Sequence, residues 1–401
     1  MPHATVGVLG GGQLAQMLAQ AASPLDIRVR SLDTSGDAPA ASVCQLITGR
    51  FDDPDAIRQL ASGCDVVTCE FENVPASVLE AAAKHAPVHP LPRAFAVAQD
   101  RLLERQLFAS LGIQTPRSAP IDTIDQVASA IQAVGLPAIL KTRRMGYDGK
   151  GQRVVRTLQE AHAAAASLLG AHDSGPTFRP DTQSSGGVGG SGGGGGGLIA
   201  DEMVALDREV SIIAVRANDG EIRTYPVTEN IHERGILRRS IAPAPSIPEG
   251  SLLHAQAIEA VRSIATSLGY VGVLAVEFFL TSDPSGQPRL LANEMAPRVH
   301  NTGHWTIEGA HTSQFENHLR AILGLPLGAT DMATGSAGMV NLVGTIPPLA
   351  QLLAVPGAHL HLYAKAPRPG RKVGHVTLCD PDPDHLTRRV TELEAIVPWM
   401  L

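Results

Sequence analysis

The chain has 401 residues, 44% of them apolar and 18% charged. Such a length predicts two or three domains, and such a composition predicts an ordinary globular core; wholesale disorder and a fibrous repeat are excluded. With 32 Lys plus Arg against 39 Asp plus Glu the net charge is −7, a poor footprint for nucleic-acid binding, so any phosphate site must be a local basic patch.

In chain order, residues 5–9 read as an apolar strand, followed by Gly10-Gly11-Gly12 and a helix with Leu14, Met17 and Leu18 at helical spacing. Strands are predicted at 27–33 and 65–69, so the first hundred residues form a βαβ unit with a parallel sheet. Residues 100–111 read as a helix whose inward stripe is Leu102, Leu103, Leu107 and Leu111. Pro116 and Pro120 mark a connection, 136–141 a strand, 145–152 a glycine-rich loop and 162–169 a helix. The tract 184–197, with ten Gly, three Ser and one Val, has no side chains to bury and reads as a tolerated surface expansion rather than a tether. The chain then turns β-rich at 198–204, 209–215 and 222–226. After a helix at 253–268, strands at 271–280 and 289–295 form an antiparallel hairpin around a turn at 282–287. The uncharged stretch 332–364 contains Pro347, Pro348 and Pro356 and reads as strands and turns, not a membrane helix. The N-terminus lacks the pattern of a secretory signal. Cys44, Cys64, Cys69 and Cys379 form no CxxC pair, which predicts free thiols in a reducing cytosol.

Five groups of residues carry candidate chemistry. Gly10 to Ala15 satisfies GxGxxG/A, with Asp33 at a suitable distance, and suggests a dinucleotide site; a glycine turn before a helix serves any anion equally well. Glu277 and Glu294 face each other across the hairpin if its turn is centred near Gln287. Opposed carboxylates on apolar strands ask for a cation, and oxygen-only ligation favours Mg²⁺, with Asn293 as a neutral neighbour; otherwise both face solvent. Lys141, followed by Arg144, Gly146, Tyr147, Asp148, Gly149, Lys150 and Gly151, suits a triphosphate clamp or a basic surface hairpin. Arg298 and His300 suit an anionic substrate beside a metal, whereas His304 reads equally as a structural histidine. Lys365, Arg368, Arg371 and Lys372 make four basic residues in eight, suited to a phosphate ester or simply a solvated turn.

Taken in order, Lys141, GYDGKGQ at 146–152, DEMV at 201–204, Glu209, His232, Glu277 and Asn293-Glu294 resemble the ATP-grasp ligases. GGGQLAQM at 10–17, APRVHNTGHW at 296–305 and RPGRKVGH at 368–375 closely resemble a narrower family within them. That family is the ATPase subunits of phosphoribosylaminoimidazole carboxylase, the 5-(carboxyamino)imidazole ribonucleotide synthases. The resemblance spans nearly the whole chain outside the Gly/Ser tract. It implies a mixed α/β fold: a pre-ATP-grasp parallel βαβ domain at 1–98, an ATP-grasp domain with a small lid subdomain at 99–330, and a β-rich C-terminal domain at 331–401.

The implied reaction carboxylates aminoimidazole ribonucleotide with bicarbonate and ATP through carboxyphosphate, in purine biosynthesis, with Mg²⁺ or Mn²⁺ as cofactor. The implied setting is a cytoplasmic homodimer without nucleic-acid or membrane partners. By resemblance, Arg101, Lys141, the 146–152 loop including Gln152, Asp201, Glu202, Met203, Val204, Glu209, His232, Asn293 and Glu294 meet ATP, with 201–204 lining the adenine pocket partly through backbone groups and Glu209 at the ribose hydroxyls. Glu277 and Glu294 hold the metal. Arg298, His300 and Asn301 hold bicarbonate or carboxyphosphate. Gln13, Glu70, Tyr147, Lys365, Arg371 and Lys372 meet the ribonucleotide, and Asp148 is a candidate base. Departures from the family are Lys150 in place of Arg, Asp201 in place of Glu, and the Gly/Ser tract. The resemblance also turns the glycine motif toward the ribonucleotide and predicts that NAD does not bind. Rival readings are a formate-dependent glycinamide ribonucleotide transformylase, a biotin carboxylase, an NAD-dependent dehydrogenase, and a catalytically dead nucleotide-binding scaffold.

Overall fold

The structure, a computed structural model, describes residues 3–146, 151–170 and 196–400. Tyr147, Asp148, Gly149 and Lys150, and all of the Gly/Ser tract before Gly196, lie outside the described residues.

The N-terminal part contains β1 (Thr5–Leu9), α1 (Gln13–Ala22), β2 (Arg28–Asp33), β3 (Gln45–Thr48), α2 (Pro54–Ala61), β4 (Val66–Cys69), α3 (Ala76–Ala82) and α4 (Pro92–Ala98). Its sheet runs β3-β2-β1-β4, all parallel. β1 is buried along its whole length, as expected of a strand covered on both faces. The sequence reading missed β3, whose four residues alternate too briefly to register. Parallel strands aim their carboxyl ends at one edge, so the turns after β1, β2 and β4 share one rim.

Next come α5 (Arg101–Ser110), β5 (Ser118–Ile121), α6 (Val127–Val134), β6 (Ala138–Thr142), β7 (Gln152–Val155), α7 (Leu158–Gly170) and β8 (Leu198–Glu202). The antiparallel sheet β5-β8-β6-β7 packs on α6 and α7 around Ile131, Val134, Leu140, Ala165 and Leu198. Pro120 sits inside β5 rather than in a connection, tolerated because β5 is an edge strand. The stripe expected inside α5 is also corrected: Leu103 is exposed, while Glu104, Arg105 and Phe108 are buried.

The remainder comprises β9 (Arg208–Arg216), β10 (Ile222–Thr224), β11 (Thr228–Glu233), β12 (Ile236–Ala242), α8 (Leu252–Ser267), β13 (Gly272–Ser282), β14 (Pro288–Ala296), α9 (Thr306–Gly309), α10 (Gln314–Ile322), β15 (Ser336–Val343), α11 (Leu349–Leu353), β16 (His359–Leu362), β17 (Lys372–Asp380) and α12 (Pro383–Ile396). The hairpin β11–β12 and the helices α9, α10, α11 and α12 were not anticipated. One sheet runs β14-β13-β9-β11-β12-β15-β17-β16, with β10 beside β9, so the C-terminal strands extend the central sheet through the β12–β15 pairing. Alternation along β13 sends Leu274 and Val276 toward α8, and Val273 and Ala275 toward α10 and the N-terminal part. His318 on α10 pins the N-terminal sheet to this core. Its Nδ1 accepts the Val273 N–H at 3.0 Å, so its Nε2–H donates to Thr68 Oγ1 at 2.9 Å.

Candidate active site

A single cavity of about 1370 Å³ runs between the three sheets. Every described residue that the resemblance assigns to a ligand lines it except Gly151, whose carbonyl accepts the Thr142 N–H at 2.8 Å. Arg144, expected in the phosphate clamp, pairs with Asp100 instead and does not line it.

The carboxylate pair comes from β13 and β14. Ser282 pairs with Pro288, which centres the turn on Ser285 rather than near Gln287; unbroken, that register would set Glu277 opposite Asn293. A bulge makes Asn293 the extra residue, and Glu277 faces Glu294. On β13, Glu277 and Phe279 share the face that lines the cavity. Burial pushes Glu277 up to about 7; His232 offsets part of this, and Glu294 and Glu209 add to it. Among the described residues no three His, Cys, Asp or Glu are grouped to hold a metal. Two opposed carboxylates opening into a large cavity still fit Mg²⁺, which keeps waters and takes remaining oxygens from substrate phosphates.

Lys141 lies on β6 opposite Ile199 of β8. Its Nζ is 2.7 Å from Asp201 Oδ2, and an Arg105 Nη donates to the same oxygen at 3.4 Å. Burial lowers the Lys141 pKa, with Asp201 pulling it back. Asp201 lines the cavity with the 201–204 segment, and its carboxylate is the buried counter-ion of Lys141. Glu202 turns outward to Arg117 at 2.6 Å, and Met203 and Val204 carry the chain along the cavity. Across the cavity, Glu209 on β9 contacts His232 Nδ1 on β11. Burial opposes protonation of His232, but Glu209 and Glu277 raise its pKa above the ordinary value. Arg101 reaches Glu294 Oε2 at 3.3 Å and the Gly146 carbonyl at 3.4 Å. Asp100, the N-cap of α5, also holds Arg143 through two hydrogen bonds of 3.0 and 2.8 Å, which fixes the base of the glycine-rich loop.

At the other end the glycine turn meets two protein carboxylates. Asp33 Oδ2 accepts the Gly11 N–H at 2.8 Å, and Glu70 accepts those of Gly12 and Ala15. A Cβ on Gly12 would lie 2.5 Å from Glu70 Oε1, so glycine is required for this approach. The amide seat at the N-terminus of α1 is thereby filled by Glu70, where a dinucleotide pyrophosphate would have to sit. Burial raises the Glu70 pKa, opposed by its two amide donors. Gln13 Oε1 accepts from Lys365 Nζ at 2.6 Å, which brings the basic segment, with Arg371 and Lys372, against the glycine turn.

Between the two ends lie Arg298, His300 and Asn301. Arg298 Nε contacts Glu72; burial favours neutral Glu72, but the guanidinium outweighs it and holds the carboxyl below its usual range. His300 Nε2 is 3.8 Å from Glu277 Oε1, and burial drives its pKa well down, so the ring is neutral at neutral pH. Asn301 exchanges two amide hydrogen bonds with Asn341 at 3.2 and 2.9 Å. His304 turns away, buried against His375 and Phe315. Sequence reasoning missed Glu72, Glu104, Arg105 and Asn341. Glu72 had a signal, its place just past a parallel strand; Glu104 and Arg105 were hidden by the apolar stripe, and Asn341 had none.

Family models match along the chain: a ribonucleotide synthetase preATP-grasp domain at residues 3–99, an ATP-grasp domain at 106–315 and a phosphoribosylaminoimidazole carboxylase C-terminal domain at 337–389. The N5-carboxyaminoimidazole ribonucleotide synthase of Pseudomonas aeruginosa is 44% identical, over 98% of this chain and 99% of that protein. The crystal structure of N5-carboxyaminoimidazole ribonucleotide synthetase from Thermus thermophilus superposes with a TM-score of 0.86 at 46% identity, covering 98% of this chain and 99% of the other. A synthase from Aspergillus clavatus, in complex with ADP and the aminoimidazole ribonucleotide, gives 0.83 at 30% identity, with 98% of each chain covered. The chain belongs to the N5-carboxyaminoimidazole ribonucleotide synthase family of ATP-grasp ligases.

Proposed function

We propose that this protein uses ATP to join bicarbonate to the exocyclic amine of 5-aminoimidazole ribonucleotide. The products are N5-carboxyaminoimidazole ribonucleotide, ADP and phosphate, within purine biosynthesis. The observation that carries the reading is the continuity of one cavity from Lys141, Glu277 and Glu294 at one end, past Arg298 and His300, to Lys365, Arg371 and Lys372 at the other.

In this reading ATP lies along Lys141, Arg101, Gly146, Gln152 and the 201–204 segment, with Glu209 and His232 at its ribose. Lys141 and Arg101 meet the phosphate oxygens. Glu277 and Glu294 hold Mg²⁺, or Mn²⁺ in its place, which when bound neutralises charge on the phosphates. Bicarbonate oxygen attacks the γ-phosphorus and ADP leaves, giving carboxyphosphate. Arg298, fixed by Glu72, and neutral His300 hold that anion, with Asn301 kept in place by Asn341. The amine of the ribonucleotide then attacks the carboxyl carbon, or CO₂ freed from it, and phosphate departs. Gln13, Glu70 and the basic turn hold the ribonucleotide, the cations meeting its phosphate. Tyr147 and Asp148, the latter as proton acceptor, complete the proposal from outside the described residues.

The division into parts 1–98, 99–330 and 331–401 belongs to the same proposal. So does a cytoplasmic homodimer without nucleic-acid or membrane partners. All four cysteines are free, and among the described residues no helix is long and apolar enough to cross a membrane. The test is phosphate release from MgATP in bicarbonate buffer, with and without the ribonucleotide. Strong stimulation by the ribonucleotide, lost when formate replaces bicarbonate, is expected. A folded protein that binds ATP without such stimulation would refute the assignment.

A further inference from the structure

β14 is the edge strand of the central sheet, so half of its backbone groups point away from any neighbouring strand. Such groups normally turn to water and leave the strand free to shift. Here α5 and the residues after it cover them. The Ala292 N–H donates to the Gln114 carbonyl at 2.7 Å. Arg105 Nη1 donates to the Asn293 carbonyl at 2.5 Å, and the Met295 N–H donates to Glu104 Oε1 at 2.7 Å. Those last two contacts bracket Glu294 on either side. They fall at the bulge, where Asn293 is the extra residue and the ladder to β13 is broken. Both are buried, with Glu104 at 1% and Arg105 at 5% exposure. Burial pushes the Glu104 carboxyl up to about 7, and both of its forms keep an acceptor oxygen for the Met295 N–H. The Arg105 contact is charge-assisted, which makes it stronger and more directional than a contact with water. The second arm of Arg105 reaches Asp201, the counter-ion of Lys141.

We propose that Glu104 and Arg105 are positioning residues for the metal site: a two-jawed clamp that fixes the bulge, keeps Glu294 opposite Glu277, and ties that pair to Lys141 through Asp201. The inference rests on the reading of Glu277 and Glu294 as metal ligands. Neither clamp residue needs to touch substrate. Without the clamp, the bulge relaxes toward the unbroken register in which Asn293 faces Glu277.

The test measures Mn²⁺ binding to the full-length protein with ADP present, by electron paramagnetic resonance, beside calorimetry of metal-free ADP. For Arg105→Met the Mn²⁺ affinity is expected to fall about 10–100-fold, the usual consequence of removing a group that orients a metal ligand. Metal-free ADP affinity stays within about threefold, since the Lys141–Asp201 pair remains. Arg105→Lys, which still donates to the Asn293 carbonyl, restores most of the Mn²⁺ affinity. Glu104→Ala removes the other jaw and carries the same expected split if Arg105→Met does not fold. Unchanged Mn²⁺ affinity in a folded variant, or equal losses for Mn²⁺ and metal-free ADP, overturns the proposal. Glu277→Gln separates the two levels. If it abolishes Mn²⁺ binding while the clamp variants retain it, only the clamp falls; if the parent protein retains no Mn²⁺ with ADP, the metal reading falls too.

Discussion

Asp201→Asn is the most direct test of how the phosphate lysine is kept charged. At 2.7 Å the Lys141–Asp201 attraction is about 6 kcal/mol at an effective dielectric of about 20, an upper figure because both groups lose hydration. Asparagine keeps the volume and one acceptor but leaves Lys141 and Arg105 as two buried cations around a neutral group. The protein then has a cheaper option, which is to release the lysine proton. From a free value of 10.5, doing so at pH 7 costs about 5 kcal/mol at 1.36 kcal/mol per unit, so the loss of stability is capped there. A lysine with a depressed native pKa costs stability that grows as pH falls below its unfolded value. The deficit of the variant therefore shrinks between pH 7 and 9, by at most about 1.4 kcal/mol per unit. Nucleotide binding moves the other way, because a neutral amine forfeits a charge-assisted contact worth about 1.5–3 kcal/mol, or about 10–100-fold in KM for ATP. Urea unfolding and ATP saturation, each at pH 7 and pH 9, read both trends. Equal stability and an unchanged KM for ATP at both pH values would refute the reasoning.

Three further outcomes are expected. Arg371→Ala weakens ribonucleotide binding by at least about tenfold, the scale of one charged hydrogen bond, while leaving ATP binding nearly intact; calorimetry with each ligand checks it, and equal losses count against the assignment. Gly12→Ala forces Glu70 off the Gly12 and Ala15 amides and costs about 1–3 kcal/mol in urea unfolding, with weaker ribonucleotide binding; a change under about 0.5 kcal/mol would show that the carboxylate moves freely. His318, held at about 3 by burial, stays neutral in the folded protein while the unfolded chain binds a proton below about 6.5, so stability falls as pH drops through that window. His318→Gln removes up to about 1.4 kcal/mol per unit of that slope, and an unaltered acid-unfolding curve would argue against the buried neutral pin.

Much of the site could be read from the chain because its signals are local. The apolar run before Gly10, Lys141 at the end of a short strand, the hairpin carrying Glu277 and Glu294, and the basic run from Lys365 to Lys372 each occupy a few consecutive residues with one periodicity. What could not be read is pairing between distant segments. The Asn293 bulge sets Glu277 against Glu294, and Glu104 and Arg105 close on it from nearly two hundred residues away. Asp201 directs its carboxylate to Lys141, and Glu70 fills the amide seat that a dinucleotide motif offers. β15 continues the central sheet by joining β12 across nearly a hundred residues. Hydrophobic periodicity records which face of a segment is buried, not what it is buried against. A charged side chain on an apolar-looking helix, or one extra residue in a strand, acquires its role only once the neighbouring element supplies the missing donor, acceptor or counter-charge.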